Sequence, residues 1–153
     1  MTAVSLRPVT ESDLQAFYEQ QADPESVAMA AVPARERDDH FRHWREVLAD
    51  ESVCVRAIVV DGSVAGHVVS FVREEGSERE VGYWVARGFW GRGVASTALA
   101  AFLREETRRP LIATVAVHNP GSLRVLEKCG FTVEAHVPDA KGDGIDEVHL
   151  RLT

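Results

Sequence analysis

A glycine-rich turn, Phe89-Trp90-Gly91-Arg92-Gly93-Val94-Ala95, restricts the fold of this chain more than any other feature. It joins an apolar run, Glu80-Val-Gly-Tyr-Trp-Val85, to a stretch in which Val94, Ala98, Leu99, Phe102 and Leu103 recur at helical spacing. Pro110 stops that helix, and Leu111 to Val117 follows as an apolar strand expected to be buried on both faces. Strand, turn, helix and strand form a parallel crossover, which is right-handed almost without exception. The chain is thereby committed to a sheet containing a parallel pair.

The flanking segments extend that sheet. Upstream, Leu6-Arg-Pro-Val reads as a short strand, and Thr10-x-x-Asp13 is close to a capping box for a helix over 11–20. Residues 21–34, with Pro24 and Pro33, read as a loop; Arg35 to Leu48 reads as a helix with Phe41, Trp44 and Leu48 on one stripe. Val53 to Val60, the Asp61-Gly62 turn and Val64 to Val72 make a hairpin, and a turn near Gly76 leads into the strand at 80–85. Downstream, Asn119-Pro120 opens a helix that Gly130 closes, and strands at 131–137 and 147–152 flank a polar loop. The expected class is therefore α/β, a mixed (α+β) sheet in the order β-α-α-β-β-β-α-β-α-β-β, flanked by helices.

At 153 residues the chain suits one domain, 1–153, and its 45% hydrophobic and 27% charged content is that of a soluble globular protein. No secretory signal follows Met1 and no apolar run approaches a membrane span, so the expected location is the cytoplasm. Cys54 and Cys129 lack metal-ligand or redox spacing and read as buried thiols; no metal is expected. A net charge of −7 argues against nucleic acid or an anionic membrane as partner. Yet residues 87–128 carry 7 basic and 3 acidic side chains, against 8 and 16 over residues 1–86. That basic segment suits a small polyanion held locally; chance clustering on a solvated face is the blander reading.

A glycine turn opening a helix leaves backbone N–H groups without partners at the positive end of the helix dipole, where phosphate fits. Gly91 and Gly93 let the backbone approach a ligand, and Arg87 and Arg92 are placed to add charge-assisted bonds. The turn lacks the lysine of a P-loop. It follows an antiparallel meander rather than the first strand of a dinucleotide-binding unit.

Three spaced motifs add to this turn: Glu80-Val-Gly-Tyr-Trp-Val85 before it, then Asn119-Pro-Gly-Ser122, then Glu127-Lys-Cys-Gly-Phe131. Together they resemble the GNAT superfamily of N-acetyltransferases, nearest the branch of ribosomal-protein N-terminal acetyltransferases. The family pattern Gln/Arg-x-x-Gly-x-Gly/Ala falls on Trp90-Gly91-Arg92-Gly93-Val94-Ala95, with Trp90 replacing the polar first residue. The resemblance implies acetyl-CoA as co-substrate, with its pyrophosphate on Trp90, Gly91, Arg92, Gly93, Val94, Ala95 and Ser96. It further implies that the strand near Trp84 and Val85 splays from the strand at 111–117, with pantetheine in the gap and Asn119 against it. In this mostly antiparallel sheet those two strands are the splayed parallel pair. Many relatives dimerise, so a homodimer is open.

Acetylating an amine requires removal of a proton from an ammonium of pKa roughly 10, donors for the oxyanion, and a donor for the leaving thiolate. Glu80 is the expected base, working through water; an edge carboxylate is its bland alternative. Ser122 is the expected donor to the sulfur, with plain helix capping as its alternative. Tyr83 lies on the opposite strand face from Glu80 and reads as a core or wall aromatic. The backbone N–H near Val85 is the expected oxyanion donor, and Lys128 is placed either to reach the 3′-phosphate or simply to be solvated at a helix C-terminus. Loops 21–34 and 138–146 are expected to wall the acceptor, with Asp23, Glu25, Asp139, Asp143 and Asp146 drawing a cationic amine, either a peptide N-terminus or a small molecule. A non-catalytic CoA-binding sensor, and transfer of a longer acyl group or to a hydroxyl, are the competing readings.

Overall fold

A computed structural model describes residues 3–153; the first two residues, on which the reading of a signal-free start partly rests, lie outside the described residues. The elements are β1 (Val4–Arg7), α1 (Leu14–Gln21), α2 (Pro24–Ala30), α3 (Arg37–Ala49), β2 (Cys54–Val60), β3 (Ser63–Val72) and β4 (Arg79–Val85), followed by α4 (Val94–Glu105), β5 (Leu111–Ala116), α5 (Pro120–Lys128), β6 (Thr132–Val137) and β7 (Glu147–Leu152). Seven strands form one mixed α/β sheet in the order β1-β2-β3-β4-β5-β7-β6, antiparallel throughout except for β4 beside β5.

Strand alternation divides the side chains between two layers. On one face Val68, Val81, Leu111, Ala113 and Leu150 meet Val94, Ala98, Leu99 and Phe102 of α4 and Leu126 of α5. On the other, Val55 and Ala57 meet Leu14, Phe17 and Trp44 of α1 and α3. The register puts Val81, Tyr83 and Val85 of β4 on the α4–α5 face, and Glu80, Gly82 and Trp84 on the α1–α3 face.

The loop expected at 21–34 contains a helix instead. Asp23 caps α2, its carboxylate accepting from the Ser26 N–H at 3.0 Å, and Pro24 occupies the first helical position. Those are helix-start signals; the prolines and small residues around them gave the segment the look of a loop. A second correction concerns β5: Thr114 is exposed, because α1 and α3 cover β2 and β3 and leave this face of β5 open.

Local signals elsewhere hold. Asp13 accepts from the Thr10 N–H at 2.8 Å and takes both Arg7 guanidinium nitrogens, at 2.7 and 2.8 Å. Asn119 caps α5 by accepting from the Ser122 N–H. Pairing of β4 with β5 runs through Arg79–Leu111 and Glu80–Ile112 and is not continued beyond them. The two strands part where Trp84 and Val85 stand.

Candidate active site

The parting of β4 from β5 opens a cavity of about 720 Å³ that runs from the glycine turn to α2. Every residue from the sequence-based binding set except Arg92 lines it: Trp84, Val85, Trp90, Gly91, Gly93, Val94, Ala95, Ser96 and Asn119. Ser122 lines it too, whereas Glu80 does not.

The glycine turn forms the anion-compatible end. Gly91 and Gly93 have φ of 74° and 73°, left-handed values that suit glycine, and Gly93 is the N-cap of α4. A glycine cap offers no side chain to the first-turn N–H groups, which remain open to a ligand. Trp90 braces the turn by donating its indole N–H to the Val85 carbonyl at 2.8 Å, at the end of β4 that β5 has left. Arg92 lies over the Phe89 ring at 5.3 Å and 3.8 Å from Asp61.

Two cations on α5, Arg124 and Lys128, line the same end. Neither has a carboxylate within ion-pair distance among the described residues. Arg124 escaped the reading of the sequence, though its i, i+4 relation to Lys128 places both on one helix face.

At the centre, Tyr83 Oη and Ser122 Oγ lie 2.6 Å apart, both on the cavity wall. Burial pushes the Tyr83 phenol up to about 12, despite its hydrogen bond to Ser122, so it stays protonated across the working range of an enzyme. The phenol is the stronger acid of the two hydroxyls and is assigned as donor, which leaves the Ser122 O–H free to point elsewhere. Alternation alone makes Tyr83 a core or wall aromatic; its partnership with Ser122 crosses 39 residues and carries no local signal.

Glu80 sits on the opposite face of β4, where Arg73 binds both its oxygens at 3.0 Å. Arg87 departs from expectation. Its guanidinium lies 3.0 Å from Asp23 and 3.1 Å from Glu25, turned to α2 rather than to the glycine cradle. Asp139, Asp143 and Asp146 accept backbone N–H bonds inside their own loop, and none lines the cavity. Beside the gap, the Trp84 indole N–H is buried without a partner. Among the described residues no group of three or more His, Cys, Asp or Glu is arranged to hold a metal, and no helix is long and apolar enough to cross a membrane.

A mixed sheet whose one parallel pair parts over a glycine-capped helix defines an α/β protein with a cavity between the parted strands. The family model of the acetyltransferase (GNAT) domain matches residues 4–132, and the chain belongs to that family. It is similar to the Bacillus subtilis (strain 168) protein YdaF, named as a candidate ribosomal N-acetyltransferase, with 31% identity over 108 residues. The match covers 67% of this chain, which spans 59% of that relative's length. Among solved structures, spermidine N-acetyltransferase from Vibrio cholerae in complex with CoA and spermine aligns with a TM-score of 0.84 and 18% identity, over 97% of this chain and 94% of the other. The ribosomal L7/L12 alpha-N-protein acetyltransferase RimL in complex with CoA aligns with a TM-score of 0.83 and 20% identity, over 97% and 93%. These structural likenesses establish a shared fold.

Proposed function

We propose that the chain is an acetyl-CoA-dependent N-acetyltransferase, transferring acetyl directly to a primary amine of a small molecule or a peptide N-terminus. One observation carries this reading. A single cavity joins the glycine cradle, the parted strands and the Tyr83–Ser122 hydroxyl pair. The cradle fits a pyrophosphate, and Arg124 and Lys128 on the cavity wall supply charge for the remaining phosphate. The gap between β4 and β5 leaves strand edges to pair with the amides of pantetheine. Asn119 serves both as cap of α5 and as wall of that gap.

The chemistry then divides between the faces of β4. The amine attacks the thioester carbonyl from the α1–α3 face, and its surplus proton leaves through water toward Glu80. The carbon–sulfur bond breaks toward the α4–α5 face, where the Ser122 hydroxyl, held by Tyr83, donates to the sulfur. The backbone N–H near Val85 is the donor for the oxyanion. The whole chain, 1–153, acts as one transferase domain in this reading, in the cytoplasm and without a metal. A homodimer is compatible with it.

A non-catalytic CoA sensor has one observation in its favour: Arg73 occupies both Glu80 oxygens. Calorimetric titration with CoA, alongside thiol release from acetyl-CoA over a panel of polyamines, aminoglycosides and peptides, separates the two. The enzyme reading expects micromolar CoA binding and amine-dependent thiol release. CoA binding with no turnover on any amine would favour the sensor, and absence of CoA binding would sink both.

A further inference from the structure

Helix α2, which replaces the expected loop, is fastened on both sides of the cavity. On the β4 side, Arg87, two residues past the end of that strand, bridges Asp23 and Glu25 at 3.0 and 3.1 Å. On the β5 side, His118, two residues past the end of its strand, donates Nε2–H to the Ala28 carbonyl at 2.8 Å. Helix α2 therefore spans the very strand ends that part company. Its Ser26, Met29 and Ala30 line the cavity beside Trp84.

The fastening on the β4 side is tied to the existence of the helix. Asp23 Oδ2 caps α2, accepting from the Ser26 N–H and hydroxyl at 3.0 and 2.9 Å, while Oδ1 accepts from Arg87 at 3.0 Å. Burial opposes ionisation of Asp23, but the Ser26 bonds and the Arg87 charge outweigh it and hold the carboxyl below its ordinary value. At its other end α2 stops at Ala31 in the left-handed region, φ 56°, which makes a sharp turn without glycine. A helix of seven residues has little stability of its own, so its position depends on its contacts with the rest of the fold, these tethers among them.

We infer that Arg87 and His118 are positioning residues that clamp α2 across the open ends of β4 and β5, fixing the wall past which the acceptor must reach the thioester. The inference rests on the acetyltransferase reading for the identity of that wall; the clamp itself does not. It gives Arg87 a role away from the CoA phosphates and takes Asp23 and Glu25 out of the set of free acids facing the amine.

The test uses Arg87→Gln, His118→Ala and His118→Gln, the last keeping an N–H donor. Amide hydrogen exchange over 24–30 is expected to accelerate about five-fold in Arg87→Gln and His118→Ala, and less in His118→Gln. Calorimetry with CoA is expected to give a Kd within about two-fold of wild type for Arg87→Gln, because its guanidinium is turned to Asp23 and Glu25 and not to the glycine cradle. With the best amine of the panel, KM for the amine rises about five-fold, and raising salt lifts the wild-type KM toward that of Arg87→Gln. Unchanged exchange across α2, or a weakened CoA Kd in Arg87→Gln with α2 still protected, would overturn the inference. Should no amine be acetylated, the enzyme reading fails, while exchange and CoA titration still decide the clamp.

Discussion

At the scale of single residues, the hydroxyl pair is the most exacting feature. If Tyr83 orients Ser122, then Tyr83→Phe and Ser122→Ala each lower kcat about ten- to a hundred-fold with KM for acetyl-CoA little changed, and the double variant is no worse than the poorer single one. An acetyl thioester with a more acidic thiol should recover most of that loss, since such a sulfur departs without help. Full additivity, or no recovery with the better leaving group, would reduce the pair to packing. The sequence made Ser122 visible because it follows Asn119-Pro120 in a helix start. It could not make Tyr83 visible as a partner, because alternation reports a face of a strand and not what a helix 39 residues later brings to it.

Among the elements, the path of β4 depends on β3. A Cβ on Gly66 would overlap the Trp84 main-chain carbonyl, so Gly66→Ala must push the end of β4 away from its place beside the cavity. The expected outcome is a lower melting temperature together with CoA binding weakened at least about ten-fold, checked by calorimetry. A variant that binds CoA as wild type does would contradict the placement. The α1–α3 layer carries a different signature. His67 lies between Phe17 and Trp44, with ring centroids 5.0 and 4.7 Å away and Nδ1 buried without a partner. Burial pushes its imidazole down from an ordinary 6.5 to about 3, with His40 and His43 adding smaller effects of the same sign. The folded state therefore stays neutral where the unfolded chain takes a proton. Stability from this site is full above about pH 6.5 and declines as pH falls toward about 3. Urea midpoints of His67→Phe should fall less than those of wild type between about pH 7 and about pH 5. Equal falls would place the acid sensitivity elsewhere.

For the molecule as a whole, the parted strands leave β1 to β4 and β5 to β7 joined by two residue pairs of sheet and by the helices over them. A ligand lying in the gap bridges both parts and should stabilise them together. At about a hundred times its Kd, CoA should raise the melting temperature by roughly 5–10 °C, the equivalent of about 2.7 kcal/mol in a chain of this size. Arg124→Ala and Lys128→Ala should each shrink that shift and its dependence on salt. A shift that survives both changes would move the phosphate site off α5.

The sequence by itself determined the mixed sheet, the parallel crossover, the glycine cradle and the helix starts at Thr10 and Asn119. Each rests on physics confined to a few neighbouring residues: periodicity, capping, and the freedom of glycine at positive φ. Helix α2 was legible in Asp23-Pro24 by the same rules, and was lost among the prolines and small residues around it. Only the tertiary structure decided which charges meet. Arg87 turned to Asp23 and Glu25, Arg73 took Glu80, and Tyr83 found Ser122, across separations of 64, 62, 7 and 39 residues. Charge and hydroxyl chemistry announce what a side chain is able to bind. The fold alone sets what comes within 3 Å of it, and that distance is what gives the glycine turn a cavity to open on.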